Sequence, residues 1–397
     1  MLADDLNMSE LAINGGLRVR GKFLPLQIPY LGDEEILSAV ATIKSGKLVG
    51  DGPKGRELEK MMENYLGLKH AFLVTSGTSA LEISMMVAGV GQGDEVILPS
   101  FAFVSAANVI LRQGARPVFV EIEKDTFNID PESFLKAITP ETKAVIVIHY
   151  AGHACRMEEI LKIADEHDIL VVEDAAHAIG AKYKGSYLGT LGRVGCFSFH
   201  QTKNIICGEG GAIVTNNEEI AKKIEIIREK GTNRSSFFRG EIDKYTWVDI
   251  GGSYVLSDLL AAILTEQFQK LEAINKMRRR NALALTEKLK GFQNKIILPI
   301  EKEYARSNWS LYPIRVKNKG RRNWFIEALK AEGIGAAFHF VPLHSSPYGK
   351  NVLGCKEDLL FTEEVSQSLV RLPLFAQMTE GDLDDIARAV KKILPFI

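Results

Sequence analysis

The sequence predicts an α/β fold, with a large unit built on a mostly parallel sheet and a smaller α+β unit after it. Three observations carry this. From residue 77 to residue 214, short apolar runs alternate with helical stretches, the pattern of strands joined by crossover helices. The segments that carry chemistry fall at the ends of those runs, where open sheets of this kind collect ligands. After a long charged helical stretch, 256–290, the pattern changes to separated strand-like runs.

Taken in order, the apolar runs 71–74, 95–98, 117–120, 144–148, 169–172, 195–199 and 212–215 read as seven strands. Between several of them lie amphipathic segments such as 157–166, whose apolar residues recur at helical spacing. Beyond the long helical stretch, 309–316 and 336–341 read as strands with the helix 322–332 between them. A boundary near Lys276 divides the chain into 1–275, an N-terminal arm and large unit, and 276–397, the small unit.

The bulk properties exclude several classes. A chain of 397 residues, 46% hydrophobic and 25% charged, is ordinary globular material. A formal net charge of −1 gives no general field to attract nucleic acid or an anionic membrane, so local groups must hold any anionic ligand. Four cysteines without paired spacing predict a reducing compartment rather than a disulfide framework or zinc site. The start, Met1-Leu-Ala-Asp-Asp, lacks the blocks of a signal peptide, and no apolar run approaches the ~18 residues of a membrane span. The expectation is a cytoplasmic protein.

Two residues decide the chemical reading. The run 169–172 empties into Glu-Asp-Ala-Ala-His-Ala, and the run 195–199 leads into Ser-Phe-His-Gln-Thr-Lys-Asn, 198–204. An acid at one strand end and a lysine at another is what an enzyme using pyridoxal 5′-phosphate needs. The lysine attaches to the cofactor's aldehyde and the acid keeps the pyridine nitrogen protonated. Asp174 and His177 stand three residues apart on the turn after the strand, so both can face one way. Asp174 reads equally as a helix N-cap when taken alone. Lys203 is one of 49 lysines and arginines, most of them solvated, but Ser198, Thr202 and a glycine-rich run surround it. A lysine buried near another cation loses proton affinity, and its neutral amine can attack an aldehyde.

Other residues are weaker taken singly. Gly77 and Thr78 end a strand and open a helix, where backbone amides suit phosphate, although Ser and Thr cap ordinary helices as often. Phe103 can stack on a flat ring or pack in a core. Segment 229–247 combines cations with aromatics, as a solvated loop or as a clamp on a diphosphate. His339 and His344 can assist or be core histidines, and no acid or Cys accompanies them at metal-ligand spacing.

In combination these motifs resemble the DegT/DnrJ/EryC1/StrS sugar aminotransferases, a branch of the fold-type I pyridoxal enzymes. The matching segments are Thr-Ser-Gly-Thr-Ser-Ala-Leu at 75–81, Gly-Asp-Glu-Val-Ile-Leu-Pro-Ser at 93–100, and the two segments holding Asp174 and Lys203. The likeness runs from about residue 28 to the last helix. It implies an aspartate aminotransferase-like architecture, with Lys203 carrying the cofactor and Asp174 on the pyridine nitrogen. His177, where many relatives carry Gln, lies near the ring oxygen, Phe103 stacks on the ring, and Gly77, Thr78 and Ser198 hold the phosphate. Ser253 stands where most of the family places an Asn that reaches the partner's phosphate, so the resemblance implies a homodimer with shared sites.

The segments 149–155, 195–200, 229–240, 243–247 and 251–254 are similar to family members that act on a dTDP-linked sugar. This implies transfer of an amino group from L-glutamate to C4 of dTDP-4-keto-6-deoxyglucose, with the cofactor cycling through pyridoxamine 5′-phosphate. Arg234, Arg239, Lys244 and His339 would meet the sugar nucleotide. Rival expectations are a C3 or UDP-linked ketosugar, a sugar dehydratase of the same fold, and a non-catalytic sugar-binding regulator. The dehydratase carries histidine in place of the lysine, and here that position is Lys203.

Overall fold

The computed structural model describes residues 10–397, so the expectation resting on Met1-Leu-Ala-Asp-Asp lies outside it. All seven predicted runs form strands of one sheet. They are β1 (His70–Val74), β2 (Glu95–Pro99), β3 (Arg116–Val120), β4 (Thr142–Ile148) and β5 (Leu170–Asp174), then, past the hairpin β6 (Lys182–Tyr183) and β7 (Ser186–Tyr187), β8 (Val194–Ser198) and β9 (Gly211–Thr215). Their order is β1-β9-β8-β5-β4-β2-β3. Only β9 runs against its neighbours. The carboxyl ends of the other six strands therefore share one edge.

Alternation along the inner strand β4 explains both layers of helices. Val145 and Val147 of β4 point into one core with helices Pro53–Leu66, Met157–Glu166 and Asp258–Gln269. Ala144, Ile146 and Ile148 point the other way, against helices Gly77–Val87 and Val104–Arg112. A strand covered on both faces must be a continuous apolar run, which is why the pattern shows so plainly.

The predicted long helix is two helices, Asp258–Gln269 and Leu271–Leu289. The break falls at Lys270, whose ammonium is drawn to Glu34 and Glu35. Leu271 and Ile274 belong to the large core, and Ala282, Leu285 and Leu289 to the C-terminal core. The two cores meet within this helix.

The C-terminal unit is a three-stranded antiparallel sheet, β10 (Ile296–Ile297), β12 (Tyr312–Val316) and β13 (Leu369–Leu372), under helices Arg322–Ala331 and Glu380–Ile393. The short β11 (Ala305–Arg306) pairs instead with β6. One expectation fails: 336–341 is not a strand, and its place beside β12 is taken by β13. Only Ala337 touches the sheet, through a bridge to Arg371. Beyond it the chain turns away, with Tyr150 bonded to His339 and Pro342 unable to donate to a ladder. The predicted 309–316 strand starts late because Trp309 has a φ of 50° and the Ser310 amide donates to Ala151. The N-terminal arm joins this second core, where Leu11 and Leu24 are buried. Among the described residues no helix is long and apolar enough to cross a membrane.

Candidate active site

The shared strand edge gathers the functional side chains. Asp174 ends β5, in register with Ile148 of β4 and Cys196 of β8. Its Oδ1 accepts the Ala176 amide at 3.0 Å. That amide belongs to a turn, and no helix starts there, so a helix cap does not account for Asp174. Burial raises the proton affinity of this carboxyl, opposed by the Ala176 amide and the charges of Lys203 and His149.

His177 follows on the same turn, and the Ala151 amide donates to its Nδ1 at 3.3 Å. In the neutral ring the proton therefore sits on Nε2. Burial, then the positive charges of Lys203, His339 and Arg371, hold its pKa well below the usual imidazole range. Fully buried Tyr150 packs edge-on to His177, with centroids 6.0 Å apart, and its hydroxyl bonds His339 Nδ1 at 3.0 Å. His339 likewise loses proton affinity to burial and to the charges of Arg371 and Lys203. His339 thus belongs to this cluster. His344 does not: it is buried, with Nδ1 2.7 Å from Ser100 Oγ.

Lys203 leaves the turn after β8. Its backbone is fixed at both ends, the amide donating to His200 O at 2.9 Å and the carbonyl accepting from Gln27 at 2.7 Å. Burial pulls its amine down to about 8; Arg371 adds to that, and Asp174 opposes it. Near neutrality a useful fraction of Lys203 is an uncharged nucleophile.

The helix Gly77–Val87 begins beside these groups. Ser76 caps it by accepting the Ser79 amide at 3.0 Å, which leaves the first two helical amides, Gly77 and Thr78, without a protein acceptor among the described residues. A Cβ on Gly77 would lie 2.9 Å from Ser198 Cβ. A Cβ on Gly211, across in β9, would lie 2.4 Å from the Ser76 carbonyl carbon. The two glycines let the helix start close onto β8, at Ser198, and onto β9, forming an anion cradle. Thr78 bonds Ser105 through its hydroxyl at 2.8 Å. Phe103 stands at the N-cap of the helix Val104–Arg112 and is 59% exposed.

The remaining predicted residues lie elsewhere. Arg239 is held by Glu225 at 2.6 Å and Glu241 at 2.7 Å, and Arg234 lies over the Phe238 ring at 5.0 Å. Lys244 and Ser253 are exposed, the latter bridged through its backbone to Glu229. No hydrogen bond, ion pair or ring contact joins these four to Lys203, Asp174 or His177 among the described residues. The sequence reading missed Tyr150 and Arg371. A lone arginine inside the apolar run Leu-Val-Arg-Leu-Pro-Leu, 369–374, was the available signal.

A phosphate cradle, an exposed ring face, a buried acid and an amine of lowered proton affinity at one sheet edge fit a phosphorylated aromatic aldehyde. Comparisons with known proteins agree. The model of the DegT/DnrJ/EryC1/StrS aminotransferase family matches residues 29–391. MJ1066 of Methanocaldococcus jannaschii, itself uncharacterized, is 41% identical over 383 residues, covering 95% of this chain and 99% of that protein. SpsC of Bacillus subtilis, a spore coat polysaccharide biosynthesis protein, is 37% identical over 383 residues, covering 94% and 98%. Among solved structures, Spr1654 from Streptococcus pneumoniae in its PLP form superposes with a TM-score of 0.87 at 27% identity, covering 94% of this chain and 99% of that one. It is also known in a PMP form. The chain belongs to the DegT/DnrJ/EryC1/StrS aminotransferase family, and its cofactor is pyridoxal 5′-phosphate, cycling through pyridoxamine 5′-phosphate.

Proposed function

We propose that the protein moves the amino group of L-glutamate to C4 of dTDP-4-keto-6-deoxyglucose, giving dTDP-4-amino-4,6-dideoxygalactose and 2-oxoglutarate. The observation that carries transamination is the gathering of Asp174, His177 and Lys203 at one sheet edge beside the Gly77–Ser198 cradle, with burial lowering the Lys203 amine. The likeness to SpsC supports a sugar substrate, and the segments 229–240 and 243–247 support the dTDP-linked one.

The residues divide the work as follows. The Gly77 and Thr78 amides and the Ser198 hydroxyl hold the phosphate, and Phe103 covers the ring. Asp174, as a buried carboxylate, would set its negative charge against the pyridine nitrogen and so keep a proton there. His177 offers its Nε2 proton toward the ring oxygen. When bound, the cofactor supplies an aldehyde for the donor's nitrogen and a ring that accepts the electrons left by the α-proton. Neutral Lys203 would take that proton from the donor's α-carbon and return it on the other side of the donor nitrogen, at the carbon that was the aldehyde. With the ketosugar the same residues act in reverse order.

The reading extends to the assembly. The protein acts as a homodimer in which Ser253 reaches the partner's phosphate and Arg234, Arg239 and Lys244 meet a diphosphate. Exposed Trp247 and Ile250, 75% and 70%, on the same loop support it, with Ile36, Leu37, Val40 and Ile43 on helix Asp33–Ser45. Four free cysteines fit the reducing cytoplasm, and the chain divides into two units at 275/276, within the helix that both cores share.

A spectrum of the holoenzyme with glutamate, followed by dTDP- and UDP-linked ketosugars, tests this. The visible band should bleach with glutamate and return with the dTDP-4-ketosugar. No bleaching with any amino acid would sink the transaminase reading; a preference for UDP-linked or 3-keto sugars would sink the substrate.

A further inference from the structure

One cation at the site has no work in the mechanism above. Arg371 is the middle of β13, its amide donating to Ala337 O at 2.8 Å and its carbonyl accepting from Ala337 at 3.3 Å. Strand alternation fixes its direction. Val370 and Leu372 on either side enter the C-terminal core, while Leu369, on the face of Arg371, packs into the cluster holding Tyr150, Phe101 and Phe340. Arg371 therefore points at the Tyr150–His339 pair and not into the core. The bridge to Ala337 sets it two residues from His339.

Its guanidinium is unmatched. Among the described residues it has no ion pair or side-chain hydrogen bond, and its Nε is enclosed without a partner. Arg315 on the neighbouring strand shows the contrast, because its fork is filled by Glu364 and Ser368. A half-buried arginine with an orphaned donor is costly unless it meets an anion. The pair it faces is part of the site, since the Tyr150 and His339 rings lie 6.0 and 6.3 Å from that of His177, and Lys203 also feels its charge, so the anion it awaits lies at the reacting centre.

We propose that Arg371 seats the α-carboxylate of the amino donor. This rests on the transaminase reading and deepens it. The α-carboxylate is one bond from the carbon that Lys203 must deprotonate, whereas the far carboxylate of glutamate extends away from it. A planar fork matches a carboxylate with two parallel bonds and turns the α-proton toward a fixed base. Arg371 is in this role a binding and positioning residue.

The test uses the full-length holoenzyme with R371Q and R371K, and cofactor absorbance reports that each is loaded. L-glutamate, its α-amide and its γ-amide are compared by the concentration that half-saturates bleaching. The wild type should favour glutamate over the α-amide on the order of 10²-fold, and R371Q should lose that preference. The KM for the ketosugar should stay within about threefold. R371K, charged but without the fork, should fall between. Unchanged half-saturation by glutamate overturns the proposal, as does an equal rise in the ketosugar KM or a loss confined to γ-amide discrimination.

Calorimetric binding of glutarate reads the anion seat without turnover, and R371Q should weaken it on the order of 10²-fold. Equal binding overturns the proposal even if no amino acid bleaches the wild type, a result that by itself would sink only the transaminase reading. Where R371Q does not load, R371K must lower both measures at least about tenfold, and unchanged values there overturn the proposal.

Discussion

Lys203, Asp174 and His177 stand out in the sequence because each closely follows an apolar strand run and their chemistry is mutually dependent. Lys203→Ala should abolish turnover yet keep the fold, since the side chain is half-buried at a strand end outside the packed core. Circular dichroism beside an assay checks both. Asp174→Asn should slow the reaction ~10²–10³-fold or more, because a neutral amide cannot hold the pyridine proton. A near-normal rate would return Asp174 to a turn-capping role. The pH dependence follows from Lys203. Its pKa is depressed, so the neutral, proton-accepting form grows as pH rises through about 8 and is nearly complete a unit above. Donor-driven bleaching should rise with a midpoint near 8 and then level; a flat profile would remove Lys203 as the base. Arg371 and Tyr150 escaped the sequence reading for a different reason. Tyr150 lies in the segment 149–155, which carries likeness but no stated chemistry, Arg371 lies next to no motif, and only β13 and the turn after β4 bring them to the others.

At the scale of elements, the seven strands were legible because a sheet buried on both faces leaves near-continuous apolar runs. The 336–341 segment was misread because Ala-Ala-Phe-His-Phe-Val and Leu-Val-Arg-Leu have equal claims as short strands. Pairing with β12 settles which one wins, and no local pattern encodes that partner. The break at Lys270 is similarly silent in the local pattern, and its side chain pairs with two distant glutamates, Glu34 and Glu35. The helix start at Gly77 yields its own expectation. Gly77→Ala puts a methyl 2.9 Å from Ser198 Cβ and 3.3 Å from its hydroxyl, which must open the cradle. The Kd for cofactor, followed by absorbance titration, should rise on the order of tenfold, with a smaller effect on thermal unfolding. A Kd equal to the wild type would mean that the phosphate sits elsewhere.

For the whole molecule, the open question is completeness of one protomer. The loop carrying Arg234, Arg239, Lys244 and Ser253 keeps its contacts away from Lys203, and its apolar side chains face solvent. A second copy would give both a purpose. Mixing Lys203→Ala with Ser253→Glu should then restore activity, because half of each mixed dimer's sites carry neither lesion. Confirmed subunit exchange without recovery would show that each site is built within one chain.

The arm before β1 has a consequence for how the chain reaches this state. Leu11 and Leu24 lie in the C-terminal core, Arg20 pairs with Asp382 and Asp385 at 2.8 and 2.9 Å, and the Leu374 amide bonds Leu26 O at 3.1 Å. Three residues after Leu24, Gln27 grips the Lys203 carbonyl. The arm thus pairs with groups more than 300 residues further along the chain, from Glu332 to Asp385, and can dock only after those have been made. Closing so long a loop makes docking of the arm a late event. A chain stopped at residue 360 lacks Leu374, Asp382 and Asp385, and its arm should be open to proteases that spare it in the 397-residue chain; equal resistance would mean that the contacts at Glu332 and Gly333 hold the arm alone.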